Sequence, residues 1–314
     1  MSARLQRLPQ PWPTRPGAYR WLYADVSAGE YSAVAIFMVG AVFSPRHSVA
    51  ARRGESPLDY CAVNFALYGP AGSLCWAFSE YAGALRTDQR LSIGSSTLAL
   101  RADGSVEVHV VERTPWWGKL LEAQLTLAPL APPHAELQLS PGAPHHWQPL
   151  MPRATAQLHV RGPDVSVDAR GLGYLDTNRG DEALGGSMPG WRWLRAHGAQ
   201  QTRILYEPPG AQAIEVVARD GATHAWRTDA PAAPMKRNLW GLPVPATLDA
   251  LVAAPVGEVH QRESSPFYAR LEASGAGTHA LCEVADFRRF HRPHIRWMAR
   301  WRSRVGSAAE ERAA

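Results

Sequence analysis

"SVEVHVVER" (residues 105–113) alternates apolar and polar side chains with a period of two, which puts Val106, Val108 and Val110 on one face of an extended chain. The same alternation returns at 137–139, 156–160, 165–167, 204–206 and 214–217. Between these runs lie "YGPAGS", "ADGS", "LAPPHA", "SPGAPHH", "RGPD", "EPPGA" and "RDGA", clusters of the residues that favour turns. Alternating strand–helix units would need helices of about ten residues or more between the strands, and amphipathic stretches of that length are scarce. The pattern predicts an all-β protein built of sandwiches or barrels.

A Pro- and His-rich stretch, "LAPLAPPHAELQLSPGAPHHWQPLMPRA" (127–154), has strand patterns on both sides. It suggests an arm at 1–17, two β domains at 18–150 and 151–287, and a tail at 288–314. In the tail Pro293 is placed to start a helix, with Trp297 and Trp301 four residues apart and arginines between.

The 314 residues, 46% apolar and 19% charged, suffice for a large buried core. The three cysteines, Cys61, Cys75 and Cys282, form no CxxC pair, so neither a disulfide framework nor a thiolate zinc site is indicated, and a reducing compartment is expected. The first residues lack the apolar core of a signal peptide, and the longest apolar run, 33–43, is about half of what a spanning helix needs. A cytoplasmic protein is expected, with contact at the inner membrane surface as one reading of the tail. The net charge of +5 is concentrated in 288–304, which hold seven arginines and no acid. The rest of the chain is near neutral, so no nucleic-acid partner is expected.

Candidate chemistry gathers in "GLGYLDTNRGDEAL" (171–184). Its opening GLG is not a dinucleotide fingerprint, because Asp176 stands where the third glycine belongs and no βαβ pattern surrounds it. His291 and His294 have no acidic or cysteine neighbours, so no metal is expected, and no GxSxG elbow occurs. Read by local physics, Asp176-x-Asn178-x-Gly180 between strands suggests an Asx-turn.

Several stretches in order resemble the carotenoid 1,2-hydratases, also called hydroxyneurosporene synthases: "FMVGAVFSPRHSVAARRG" (37–54), "CAVNFALYGPAG" (61–72), "HHWQPLMPRA" (145–154), "GLGYLDTNRGDEAL" (171–184), "WRWLRA" (191–196), "SSPFYAR" (264–270) and "FRRFHRPHIRWM" (287–298). The resemblance covers most of the chain. It implies two lipocalin-like (calycin) β-barrel domains in tandem, and addition of water to the terminal double bond of an acyclic carotene such as lycopene or neurosporene, without a cofactor. An apolar polyene and water are then the partners. It also implies a catalytic group of His145, Trp147, Tyr174 and Asp176.

That chemistry suits these residue types. An isolated alkene is a poor base, and a carboxyl such as Asp176 in an apolar pocket keeps its proton because desolvation penalises the charged form. Trp147 and Tyr174 can stabilise the ensuing cation through their ring faces, and a neutral His145 can hold or activate water. Trp191, Trp193, Phe267 and Tyr268 are candidates for the substrate lining, with core packing as the alternative. Asn178, Asp181, Glu182 and Arg195 are candidates for support around the site, with Asp181 or Glu182 as the acid for Arg195. Two other functions stay open at this point: cyclisation or a pericyclic reaction of another polyene or isoprenoid, and a lipocalin-like carrier without chemistry. The tail reads equally as a contact for an anionic membrane and as a solvated helix docked on the barrel.

Overall fold

The computed structural model describes residues 4–306. Among these, Val106–Arg113 is a strand whose buried and partly exposed positions alternate as the sequence predicts. It belongs to a sheet of thirteen strands, in the order Arg304–Val305, Gly72–Tyr81, Cys61–Gly69, Tyr31–Val39, Tyr19–Ala28, Val165–Gly180, His145–Gly162, Leu120–Pro129, Val106–Arg113, Ser96–Leu100, Arg90–Ile93 and Leu85–Arg86, with Leu137–Gln138 added beside His145–Gly162. A second sheet has seven strands, ordered Ala222–Thr228, Ala213–Arg219, Gln201–Glu207, Gly190–His197, Thr278–Asp286, Tyr268–Gly275 and His260–Ser264. The expected all-β class is the one observed.

The large sheet curls around its own core. Phe37, Val63, Phe65, Val108, Leu125 and Leu158 pack together inside it, and the Tyr81 hydroxyl donates to Glu112 Oε2 at 2.9 Å across the curl. Opposite faces of the same strands build a second core against the small sheet. On Tyr19–Ala28, Leu22, Ala24 and Val26 point into the curl, whereas Tyr19, Trp21 and Tyr23 meet Trp191, Trp193 and Tyr206 of the small sheet. Being buried on both faces explains why the longest apolar run of the sequence is a strand, Tyr31–Val39, and its following loop. The far face of the small sheet is covered by the 242–256 segment through Leu242, Val244, Leu248 and Leu251.

The strand His145–Gly162 runs through residue 150, with register shifts at Pro149/Met151 and Met151/Ala154, and the chain crosses from the large sheet to the small one at 181–189. Tail residues Pro293–Arg302 form the helix that Pro293 predicts. Arg195 is a correction. It lies fully buried between the sheets, and its acid is Asp25, with Nη2 to Oδ1 at 2.5 Å, while Asp181 and Glu182 remain near the surface beside Arg179 and Ser187. Packing of the small sheet on the large one brings Arg195 over the face of Tyr19–Ala28, onto a partner 170 residues away that local spacing does not reveal.

Candidate active site

Asp176 and Asn178 sit in the strand Val165–Gly180, so the expected Asx-turn is not formed there. The pairing of this strand with Tyr19–Ala28 leaves Tyr174, Asp176 and Asn178 on the face toward the small sheet. Two glycines make the close packing feasible: a Cβ on Gly171 would stand 2.0 Å from Ser27 O, and one on Gly180 would stand 2.5 Å from both His145 Nδ1 and the Tyr19 ring.

Asp176 is 3% exposed. Trp147 Nε1 and the Tyr174 hydroxyl both donate to its Oδ2 at 2.8 Å, and Asn178 Nδ2 donates to Oδ1 at 3.3 Å. Each donor is neutral. The two other buried acids nearest in the intersheet layer have cations: Asp25 has Arg195, and Glu283 has Arg270. Without one, burial pushes the Asp176 carboxyl from its ordinary range up to about 8, Glu283 and Asp25 adding to the rise, against the opposing bonds from Tyr174 and Trp147. At neutral pH it is mostly the protonated acid. With two donors on Oδ2, the proton belongs on Oδ1.

In-register rows from the two sheets face each other around this acid. Across the large sheet Phe78, Asn64, Ile36, Tyr23, Asp176 and Pro149 stand opposite one another in turn. Across the small sheet the row is Tyr206, Trp193, Glu283, Arg270 and Glu263. Six strands at about 4.8 Å spacing make the first row about 24 Å long. At one end Phe78, Asn64, Arg270 and Glu263 line a groove of about 350 Å³, joined by Phe267 and Tyr268 and by Ile295, Trp297 and Trp301 of the C-terminal helix. At the other, Tyr23, Asp176, Asn178, Trp191, Trp193, Tyr206 and Glu283 line a chamber of about 20 Å³. Ile36 and Phe43 belong to both walls, so the groove ends against the chamber.

The structure therefore brings Asp176, Trp147 and Tyr174 together, with Trp147 and Tyr174 buried behind the acid as its holders, not in the cavity lining. Trp191 and Trp193 line the chamber, and Phe267 and Tyr268 line the groove, while all four also pack in the intersheet core. His145 lines neither cavity. Its Nδ1 meets the Tyr19 hydroxyl at 2.9 Å and its Nε2 meets Ser187 Oγ at 3.1 Å, with Glu182 at 3.5 Å. Burial lowers its imidazole below the ordinary value, against the opposing Glu182. A stack runs from it through Tyr19 to Trp21, which does line the chamber. Asp181 pairs with Arg179.

Tyr23 and Glu283 are site residues that sequence reasoning missed. For Glu283 a signal existed: in the alternation of Leu281, Glu283 and Ala285 an acid occupies the buried face of a strand. Its Oε1 accepts from Arg270 Nε and Nη2 at 3.0 Å each, and Arg270 is shared with Glu263. Burial raises the Glu283 carboxyl above its ordinary value, and Arg270 pulls it back.

Residues 35–308 match the family model described as carotenoid hydratase CrtC. The chain is 34% identical to the acyclic carotenoid 1,2-hydratase of Thiocapsa roseopersicina over 93% of its own length and 74% of that protein's, and 31% identical to that of Rubrivivax gelatinosus over 84% and 66%. Its fold is similar to a crystal structure described as an AttH of Nitrosomonas europaea, with a TM-score of 0.59 at 13% identity, over 91% of this chain and 99% of that one. The match along most of the chain, together with the buried Trp147–Tyr174–Asp176 group, places this protein in the carotenoid hydratase family.

Proposed function

We propose that the protein adds water across the terminal 1,2 double bond of an acyclic carotene and produces a tertiary alcohol, acting as a hydro-lyase. The observation that carries this reading is the nearly inaccessible Asp176, held only by neutral donors, in the chamber against which an apolar groove ends. A linear polyene suits the groove, and its branched end then points toward Asp176 and stops at Ile36 and Phe43, where the groove meets the chamber.

Asp176 delivers its proton to the less substituted alkene carbon, which leaves the charge on the tertiary one. Tyr23, Trp191 and Trp193 line the chamber just beyond that position, and a desolvated cation–π contact contributes on the order of 2 kcal/mol. Water then forms the carbon–oxygen bond. Hydration leaves the total oxidation level unchanged, so the reaction as written draws on no redox cofactor. Trp147 and Tyr174 act as positioning residues that hold Oδ2 and turn Oδ1 toward the substrate, and His145 supports this wall through Tyr19.

No helix of the described residues is long and apolar enough to cross a membrane. A carotene is nevertheless dissolved in lipid, and the groove opens beside Trp116, Trp297 and Trp301, which are 71%, 61% and 62% exposed, with the arginines of 288–304 adjacent in sequence. These features support peripheral contact of the tail with an anionic membrane surface.

Expression in a lycopene-accumulating host tests the reading. Appearance of 1-hydroxy carotenes carrying oxygen from labelled water is expected. An isomeric product without added oxygen would replace hydration by cyclisation, and an unchanged pigment bound to the protein would leave a carrier.

A further inference from the structure

Three buried polar atoms around the chamber lack hydrogen-bond partners among the described residues: the Tyr23 hydroxyl, Trp193 Nε1 and Asn178 Oδ1. Each of these residues is 4% exposed, and each lines the chamber. Buried polar groups in folded proteins are paired as a rule, so three such atoms around one space point to a small polar occupant. The space itself, about 20 Å³, holds a water molecule and is too small for the branched end of a polyene. Glu283, 6% exposed, completes the wall from the small sheet, directly across the strand pair from Trp193.

We infer that this chamber binds the water molecule to be added, and that Glu283 is the base that takes its proton. The inference rests on the hydration reading and assigns its second half. A water there accepts from Trp193 Nε1, donates to Asn178 Oδ1 and to the Glu283 carboxyl, and keeps a lone pair for carbon. Three hydrogen-bond partners are typical of an ordered buried water. Tyr23, paired in register with Asp176, closes the gap between acid and water. His145 has no access to this space.

Division of labour follows from the neighbours of each acid. The Arg270 guanidinium beside Glu283 favours its carboxylate against the burial that opposes it, whereas Asp176 is buried with no cation beside it and keeps its proton. In the reaction the Asp176 O–H bond breaks as the alkene electron pair forms the new C–H bond. The water lone pair then forms the C–O bond to the tertiary carbon, and the water O–H bond breaks with its proton passing to Glu283. Asp176 is left as carboxylate and Glu283 as acid, and transfer of one proton between them through a further water resets both. Acid and base stand on different sheets, so hydrogen and hydroxyl approach the double bond from different sides.

The test is Glu283→Gln assayed with an acyclic carotene in D2O, following the alcohol formed and the deuterium in recovered alkene. Positioned bases contribute about 10²–10⁴-fold, and the expected loss in kcat is of that size, with carotene binding retained. Deuterium should still enter the alkene, because Asp176 can deliver and withdraw a proton at the same carbon without water attack. Glu283→Asp should recover part of the hydration. Should the Gln variant fail to fold, Trp193→Phe keeps the ring and removes the N–H, and it should lower hydration more than exchange. A folded Gln variant that hydrates within a few-fold of the parent overturns the inference, as does one that binds carotene yet loses hydration and exchange together. A parent protein that produces no hydroxylated carotene overturns the hydration reading as well.

Discussion

Asp176 and Glu283 face one small chamber from opposite sheets, the first held by Trp147 and Tyr174 and the second by Arg270. Two carboxyls with such different neighbours are set apart in proton affinity, as acid and base chemistry at one pH requires.

Asp176→Asn preserves the shape and most of the hydrogen bonds but cannot donate a proton of comparable acidity. Turnover should fall by at least about 10³-fold, within the range for loss of a positioned acid, with the carotene still bound. Retained turnover in a folded Asn variant would remove Asp176 from the mechanism.

The same substitution should change the dependence of stability on pH. The folded-state value of Asp176 lies near 8 against an unfolded value near 3.8, so the protonated folded form is favoured fully at low pH and this contribution is lost as pH rises through about 8. Across about four units the total is on the order of 5 kcal/mol. Denaturant unfolding at pH 4 and pH 9 should therefore show Asp176→Asn close to the parent at the lower pH and more stable than it at the higher.

Turnover itself should decline as pH rises past about 8, because Asp176 is then the carboxylate. Trp147→Phe removes a bond that favours that carboxylate, so the alkaline limb of the pH–rate profile should move upward while kcat drops about tenfold or more through loosened placement of the acid. A fall in kcat with the limb unmoved would mean that Trp147 acts only by packing.

Arg195 should matter for stability and leave the acid intact. It bridges Asp25, Ser27 Oγ and the His279 carbonyl between the sheets. Arg195→Met leaves Asp25 as an uncompensated buried acid, and breaking buried pairs in this way costs about 3–5 kcal/mol. A urea-unfolding midpoint unchanged from the parent would contradict that assignment.

Membrane contact can be read with vesicles. Replacing Arg292, Arg296 and Arg300 by Gln should weaken binding to phosphatidylserine-containing vesicles by roughly two orders of magnitude, at about 1 kcal/mol for each basic residue near the surface. Equal binding of parent and variant, or no response to salt, would leave the helix as a lid over the groove.

The strands were legible because a period of two survives wherever one face is wet, as at Val106–Arg113. Strands buried on both faces, such as Tyr31–Val39, show no alternation, and their place in the sheet came from pairing. The motifs located Asp176, Trp147 and Tyr174, which lie on adjacent strands of one sheet. Trp193 is a lining candidate from sequence, and the acid at 283 leaves a trace in its strand pattern, but that both come within range of Asp176 follows from the packing of one sheet on another, which no local pattern encodes. For the same reason Arg195 was matched to acids near in sequence instead of Asp25, and Asp176–Gly180 read as a turn although its residues continue a strand.

The protonation state of Asp176 is the most direct test of the whole account. Carboxyl ¹³C resonances or the carbonyl infrared band, assigned by difference against Asp176→Asn, should show a neutral acid at pH 7 that titrates near 8. A carboxylate already ionised at pH 7, titrating near 4, would contradict it.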